Sequence, residues 1–169
     1  KNGEIQERRT LTRLENLNEH EGWNQLCNSY LRRLISAVMG QNYVLFKSKL
    51  NLKPAGGSGF APHLDAPSLR IAFDSPAPQT FVTVMVAIDD MRSSNGCLKV
   101  VRGKWNADTA VPTVPPNVNG NPDAGGRAGA IESAEKLDFQ DVECCGGSVV
   151  AFGGWVPQRS AVNASPFPR

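Results

Sequence analysis

A chain of 169 residues is long enough for one domain with a substantial core, and its 40% hydrophobic and 20% charged residues exclude the composition of a disordered segment. Eighteen Lys and Arg against sixteen Asp and Glu leave a formal charge of +2, so no broad field draws the chain toward nucleic acid. Four cysteines (Cys27, Cys97, Cys144 and Cys145) follow neither a zinc spacing nor a secreted disulfide framework.

Reduced thiols, together with the lack of a signal pattern or a bilayer-spanning apolar run, place the expected protein inside the cell, in the cytoplasm, away from membranes. The chain starts at Lys1 and stops at Arg169, and both ends read as truncations.

Near the start, Leu11, Leu14 and Leu17 are spaced in threes, which predicts a short helical or 3₁₀ piece. His20 follows in a polar context and reads as solvent-facing. Over residues 23–39 the apolar positions Trp23, Leu26, Cys27, Tyr30, Leu34 and Val38 make an amphipathic stripe, and Gly40 is a C′ stop. The period then changes to two. Across residues 44–53, Val44, Phe46, Ser48, Leu50 and Leu52 share one face of a predicted strand, and Leu45, Lys47, Lys49, Asn51 and Lys53 share the other. A lysine-bearing face is ordinarily a solvated one.

Gly56-Gly57-Ser58-Gly59 leads into Phe60-Ala61-Pro62-His63-Leu64-Asp65. On an extended segment His63 and Asp65 point the same way, so an imidazole and a carboxylate are available to one iron ion. The tripeptide alone is not diagnostic, because H-x-D arises readily by chance. Residues 80–89 (TFVTVMVAID) are β-branched and apolar on both faces, as a buried central strand requires. The Asn95-Gly96 turn signal and a returning strand over 97–101 predict a hairpin with it. Residues 106–134 are rich in Pro, Gly, Asn and Ala without periodicity, which predicts a long loop of the functional or disordered kind. Short strands are predicted at 137–142 and 148–152. One helix followed by short strands argues a mainly β fold with helical support, with a jelly roll fitting best.

In their order, five stretches make the chain resemble the phytanoyl-CoA dioxygenase family of iron(II)- and 2-oxoglutarate-dependent oxygenases. They are LFKSKLN at 45–51, GFAPHLDAP at 59–67, VMVAIDD at 84–90, NGCLKVVRG at 95–103, and GGSVVAF at 146–152 continuing to Arg169. The first two look most like the branch that hydroxylates aminoalkylphosphonates. The resemblance implies one domain over 1–169 with helical support at 1–43. It also implies a double-stranded β-helix (jelly roll, cupin-like) core at 44–169 that lacks its final strand, with a variable loop at about 106–134. His63 and Asp65 match the family's first two metal ligands. The family's third is the histidine of a Pro-His-x-Ser-x-x-Asn segment, which here reads Pro157-Gln158-Arg159-Ser160-Ala161-Val162-Asn163, with Gln158 in the ligand position. The family's 2-oxoglutarate-binding arginine stands eleven positions after that histidine, and Arg169 stands eleven after Gln158.

The resemblance thus implies Fe(II), 2-oxoglutarate, molecular oxygen and a small organic substrate. Lys47, Lys49 and Thr83 are weaker candidates for contacts to the cosubstrate; a solvated lysine and a core threonine are the plain alternatives. Because a carboxamide oxygen is a poorer donor to iron(II) than imidazole, a degenerate, non-catalytic member stands as the alternative. A metal-independent cupin-like binder of small molecules stands behind both.

Overall fold

Leu14 does not sit on a helix. Arg13–Glu15 is a strand (β1) that pairs antiparallel with Lys49–Asn51 (β2), Leu14 opposite Leu50, and Leu17 opens a single 3₁₀ turn, Leu17–Glu19. The expected helical spacing is broken at Asn16, which takes a left-handed conformation (φ 56°) and donates its N–H to Ser48 O; asparagine tolerates that conformation better than most residues. These elements come from a computed structural model that describes residues 10–67, 81–114 and 129–169. The chain divides into two compact units, Lys1–Lys53 and Pro54–Arg169.

In the first unit the predicted helix forms, running from Glu21 to Met39 as α1 (Glu21–Asn24), a π-helical stretch (Gln25–Leu31) and α2 (Arg32–Met39). Gly40 closes it in the left-handed conformation, its N–H on Ser36 O. The predicted stripe does not hold throughout, because Tyr30 and Val38 are exposed and Ile35 is the buried residue of α2. A π-helical stretch bonds i to i+5, so each residue after it is rotated away from the face that a 3.6-residue period assigns. The strand expected over 44–53 shrinks to β2. Ser48 is buried, and Lys47 and Lys49 are exposed as their face required, but Val44 and Phe46 on the other face are also exposed.

Among the described residues the second unit has five short strands in two antiparallel ladders. Val82–Val86 (β3) pairs with Val149–Gly153 (β6), Thr83 opposite Phe152 and Met85 opposite Val150. Leu98–Val101 (β4) lies between Phe139–Val142 (β5) and Gln158–Ser160 (β7). The predicted hairpin between 80–89 and 97–101 is therefore corrected: β3 and β4 belong to different ladders. Asn95 and Gly96 do turn the chain, but as the end of a 3₁₀ turn (Ser93–Asn95) with Gly96 left-handed at φ 72°. There the Asn95 side chain accepts from Arg92 N and donates to Asp90 O. A turn capped in this way redirects the chain instead of doubling it back on β3. β7 was not foreseen at all.

Between the ladders, Met91 and Cys144 exchange both backbone hydrogen bonds (2.8 and 3.1 Å). Ala87, Met91 and Cys97 are buried together, with Met85, Cys144 and Val150 packed on them. The mainly β architecture with few helices agrees with the sequence reading. The start of the 80–89 strand at Thr80 and the middle of the 106–134 loop lie outside the described residues. Among the described residues no helix is long and apolar enough to cross a membrane.

Candidate metal centre

The glycine-rich approach ends in a strap. Phe60 N donates to Ser160 Oγ and Ser160 N to Phe60 O (3.0 Å each), while His63 and Gln158 exchange both backbone bonds (2.9 and 3.0 Å). Two residues that exchange both bonds lie directly opposite with side chains on one face, so position 158 is held beside position 63. Asp65, two residues on, shares that face. Its N–H and that of Ala66 both reach Gly154 O, at the end of β6. The intervening Leu64 points away and is fully buried.

Two glycines make this crossing possible. A Cβ on Gly59 would stand 2.0 Å from Ser160 O, and one on Gly154 would stand 2.3 Å from the Phe81 ring. The same crossing explains Ser160 and Asn163 of the terminal segment. Ser160 is the acceptor for Phe60, and buried Asn163 donates to Pro54 O and Phe167 O while accepting from Ser165 N and Oγ.

Four of the predicted residues come together. His63 Nδ1 donates to Ala61 O at 2.7 Å, which leaves Nε2 facing Asp65 Oδ1 at 3.5 Å. The other carboxylate oxygen, Oδ2, accepts from Thr83 Oγ1 and from Gln158 Nε2, both at 2.6 Å. Thr83 reaches it from β3, where the inward face of Thr83 and Met85 carries the hydroxyl toward Asp65. Burial pushes the Asp65 carboxyl up, but the hydrogen bonds from His63, Thr83 and Gln158 and the charge of His63 outweigh it and hold the group below its ordinary value.

The donor chemistry gives a direct test of whether a metal fits. With Nδ1–H on Ala61 O, Nε2 and Oδ1 attract each other when a second proton sits on Nε2 or when a cation lies between them, so a cation can take that proton's place. A tethered Nδ1 is the usual support of a histidine that binds metal through Nε2. The two atoms are close enough for one ion with bonds of about 2.1 Å to touch both. His63 and Asp65 therefore fit two positions of a facial iron site. Gln158 as it stands does not fit the third, because it turns N–H, not oxygen, toward the carboxylate. Among the described residues no three His, Cys, Asp or Glu side chains cluster in a metal-holding arrangement.

The remaining predicted residues have other partners. Arg169 Nε donates to Asn95 O (3.2 Å) and a terminal nitrogen to Gly96 O (2.9 Å), so its guanidinium is fixed on the turn before β4. Burial lowers its pKa from the usual arginine value. Lys47 and Lys49 belong to the first unit, where Lys47 pairs with Glu15 (3.4 Å) and Lys49 lies opposite Glu15 in the β1–β2 register. His20 is exposed, as expected. What sequence reasoning missed is the support: the Ala61 and Gly154 carbonyls and the Thr83 contact to Asp65. Only the placement of Thr83 two residues before Met85 carried any signal of it.

The family model for phytanoyl-CoA dioxygenase matches residues 3–169. The chain is 35% identical over 161 residues to the 2-aminoethylphosphonate dioxygenase of an uncultured bacterium (HF130_AEPn_1), covering 93% of this chain and 55% of that protein. It is 30% identical over 138 residues to the methylphosphonate hydroxylase of Gimesia maris, covering 79% and 45%. The chain thus spans about half the length of the curated relatives it matches. Among solved structures, AviO1 from Streptomyces viridochromogenes Tue57 superposes with a TM-score of 0.69 at 22% identity over 98% of this chain and 66% of that one. EctD from S. alaskensis with bound Fe gives 0.71 at 17% identity over 96% and 55%. At those identities the likeness is one of fold.

Proposed function

The chain belongs to the phytanoyl-CoA dioxygenase family, and from that membership we propose that it carries the metal-binding part of an iron(II)- and 2-oxoglutarate-dependent oxygenase with a jelly-roll core, acting on a small organic substrate. The observation that carries this reading is the placement of His63 Nε2 and Asp65 Oδ1, held 3.5 Å apart on one strand face with His63 Nδ1 tied to Ala61 O. In this reading His63 and Asp65 hold the ion, and Arg169 supplies the cation for the far carboxylate of 2-oxoglutarate. Iron(II) with 2-oxoglutarate supplies the activation of O₂, one oxygen atom going to the substrate C–H bond and the other to the succinate formed as CO₂ is lost.

The chain's own residues do the positioning. Ala61 O fixes the tautomer of His63, Thr83 holds Asp65 Oδ2, and Gly154 O anchors the backbone of Asp65. Two curated relatives are named for phosphonates, which makes an organophosphonate the first substrate class to test. A second reading, a non-catalytic member of the family, is favoured by one observation, the amide N–H of Gln158 in the position where a third ligand is needed.

The test is iron-dependent formation of succinate from 2-oxoglutarate with 2-aminoethylphosphonate or methylphosphonate present. Succinate from the unaltered chain that disappears in His63→Ala supports the oxygenase reading. Succinate from Gln158→His alone supports the non-catalytic one.

A further inference from the structure

The identity of the residue at 158 has a chemical consequence beyond a missing ligand. Gln158 is 6% exposed and its Nε2 stands 2.6 Å from Asp65 Oδ2. Turning the amide over would bring Oε1 against a carboxylate oxygen at that distance, two acceptors in contact with little water to separate them. The charge of Asp65 therefore sets the amide orientation. The backbone exchange between His63 and Gln158 and the short reach from Thr83 leave the carboxylate held from two sides on the same oxygen, with Oδ1 turned toward His63 Nε2.

We propose that Gln158 is a positioning residue, which stays outside the coordination sphere of a divalent ion and orients Asp65 for a site made of two protein ligands, His63 and Asp65. This rests on the iron-site reading above, and it assigns to Gln158 the opposite role from the one its place in the motif suggests. The remaining positions of the ion are then left to small ligands. A histidine at 158 adds a ligand and gives up the donor to Asp65. In the metal-free chain Gln158 donates to the carboxylate.

The probe is Co(II) alone, titrated into the chain and followed by its visible d–d bands. Gln158→Met preserves the volume and removes the N–H. If Gln158 positions Asp65, this variant keeps the band positions and intensities of the unaltered chain and binds about tenfold more weakly, the scale of losing a supporting hydrogen bond. Gln158→His changes the bands and tightens binding. A band shift in Gln158→Met means that a ligand was lost and overturns the proposal.

A second measurement needs no folded variant. In the ¹⁵N spectrum of the metal-free chain the Gln158 side-chain amide has one proton protected from solvent exchange, and a freely exchanging pair overturns the proposal. Absence of any His63-dependent cobalt spectrum overturns the iron-site reading instead, and the amide resonance then decides the Asp65 contact alone.

Discussion

Two carboxylates in this molecule are held in contrasting ways. Glu15, in the first unit, accepts from Arg13 and Lys47 at 3.3 and 3.4 Å, with all three side chains about a third or more exposed. Asp65, in the second, is less exposed and gathers its neighbour His63 together with two partners distant in the chain, Thr83 and Gln158. Around Glu15 water screens each attraction and can replace any partner. Around Asp65 each donor stands where little water can take over, so each matters more. The difference teaches where to look for chemistry: at the place where the chain crosses its own path, not where its charges are most numerous.

The contrast breaks most completely at the ligand itself. His63→Ala is expected to abolish Co(II) binding, a loss of at least about 100-fold read from a metal titration, because one protein ligand then remains. Next in size is the crossing. Gly59→Val drives a side chain into Ser160 O and is expected to lower stability by about 3 kcal/mol in denaturant unfolding, the upper range for overpacking.

Thr83→Val removes a donor from a carboxylate and is expected to cost about 1–3 kcal/mol near neutral pH. That cost carries a pH signature. The folded pKa of Asp65 is depressed, so its stabilisation is fully present above the ordinary aspartate value of about 3.9 and is lost as the pH falls through the lower folded value. The gap between Thr83→Val and the unaltered chain should close in acid below that value, and a constant gap in urea midpoints across the range would sink the assignment. Smallest of all, Lys47→Ala in the exposed pair should move stability by no more than about 0.5 kcal/mol. A larger change would mean that the two carboxylates are not the contrasting cases described.

What the sequence made legible follows the same division. Strand alternation made the common face of His63 and Asp65 readable, but as candidate ligands they were readable only through the family resemblance, as was Gln158 through the order of the segment from Pro157 to Asn163. The helix over 23–39 and its Gly40 stop were readable from period and cap chemistry, but the π-helical stretch moved its buried face by a shift that no hydrophobic pattern records. The hairpin expected at Asn95-Gly96 failed because a turn signal names a turn and not the partner strand: β3 found β6, some sixty residues away, through non-local pairing. β7 escaped notice because Gln158-Arg159-Ser160 has no alternation, and its strand exists through non-local pairing with β4 on one side and the strap on the other. Arg169 was placed by spacing, yet its anchor on the Asn95 and Gly96 carbonyls is a tertiary fact with no local signature.

The bridge between Thr113 and Ile131 has a consequence for how His63 is held. Val114 N meets Ala130 O, Glu132 N meets Pro112 O, and the far side of the same rung runs straight into the strap, with Ile131 N on Pro62 O and Leu64 N on Gly129 O. Residues 112–114 and 129–132 are therefore fastened to each other and to the backbone on both sides of His63. The backbone that carries the imidazole is braced from the Gln158 side and from the Ala130 side at once, so its position is shared by three separate parts of the chain.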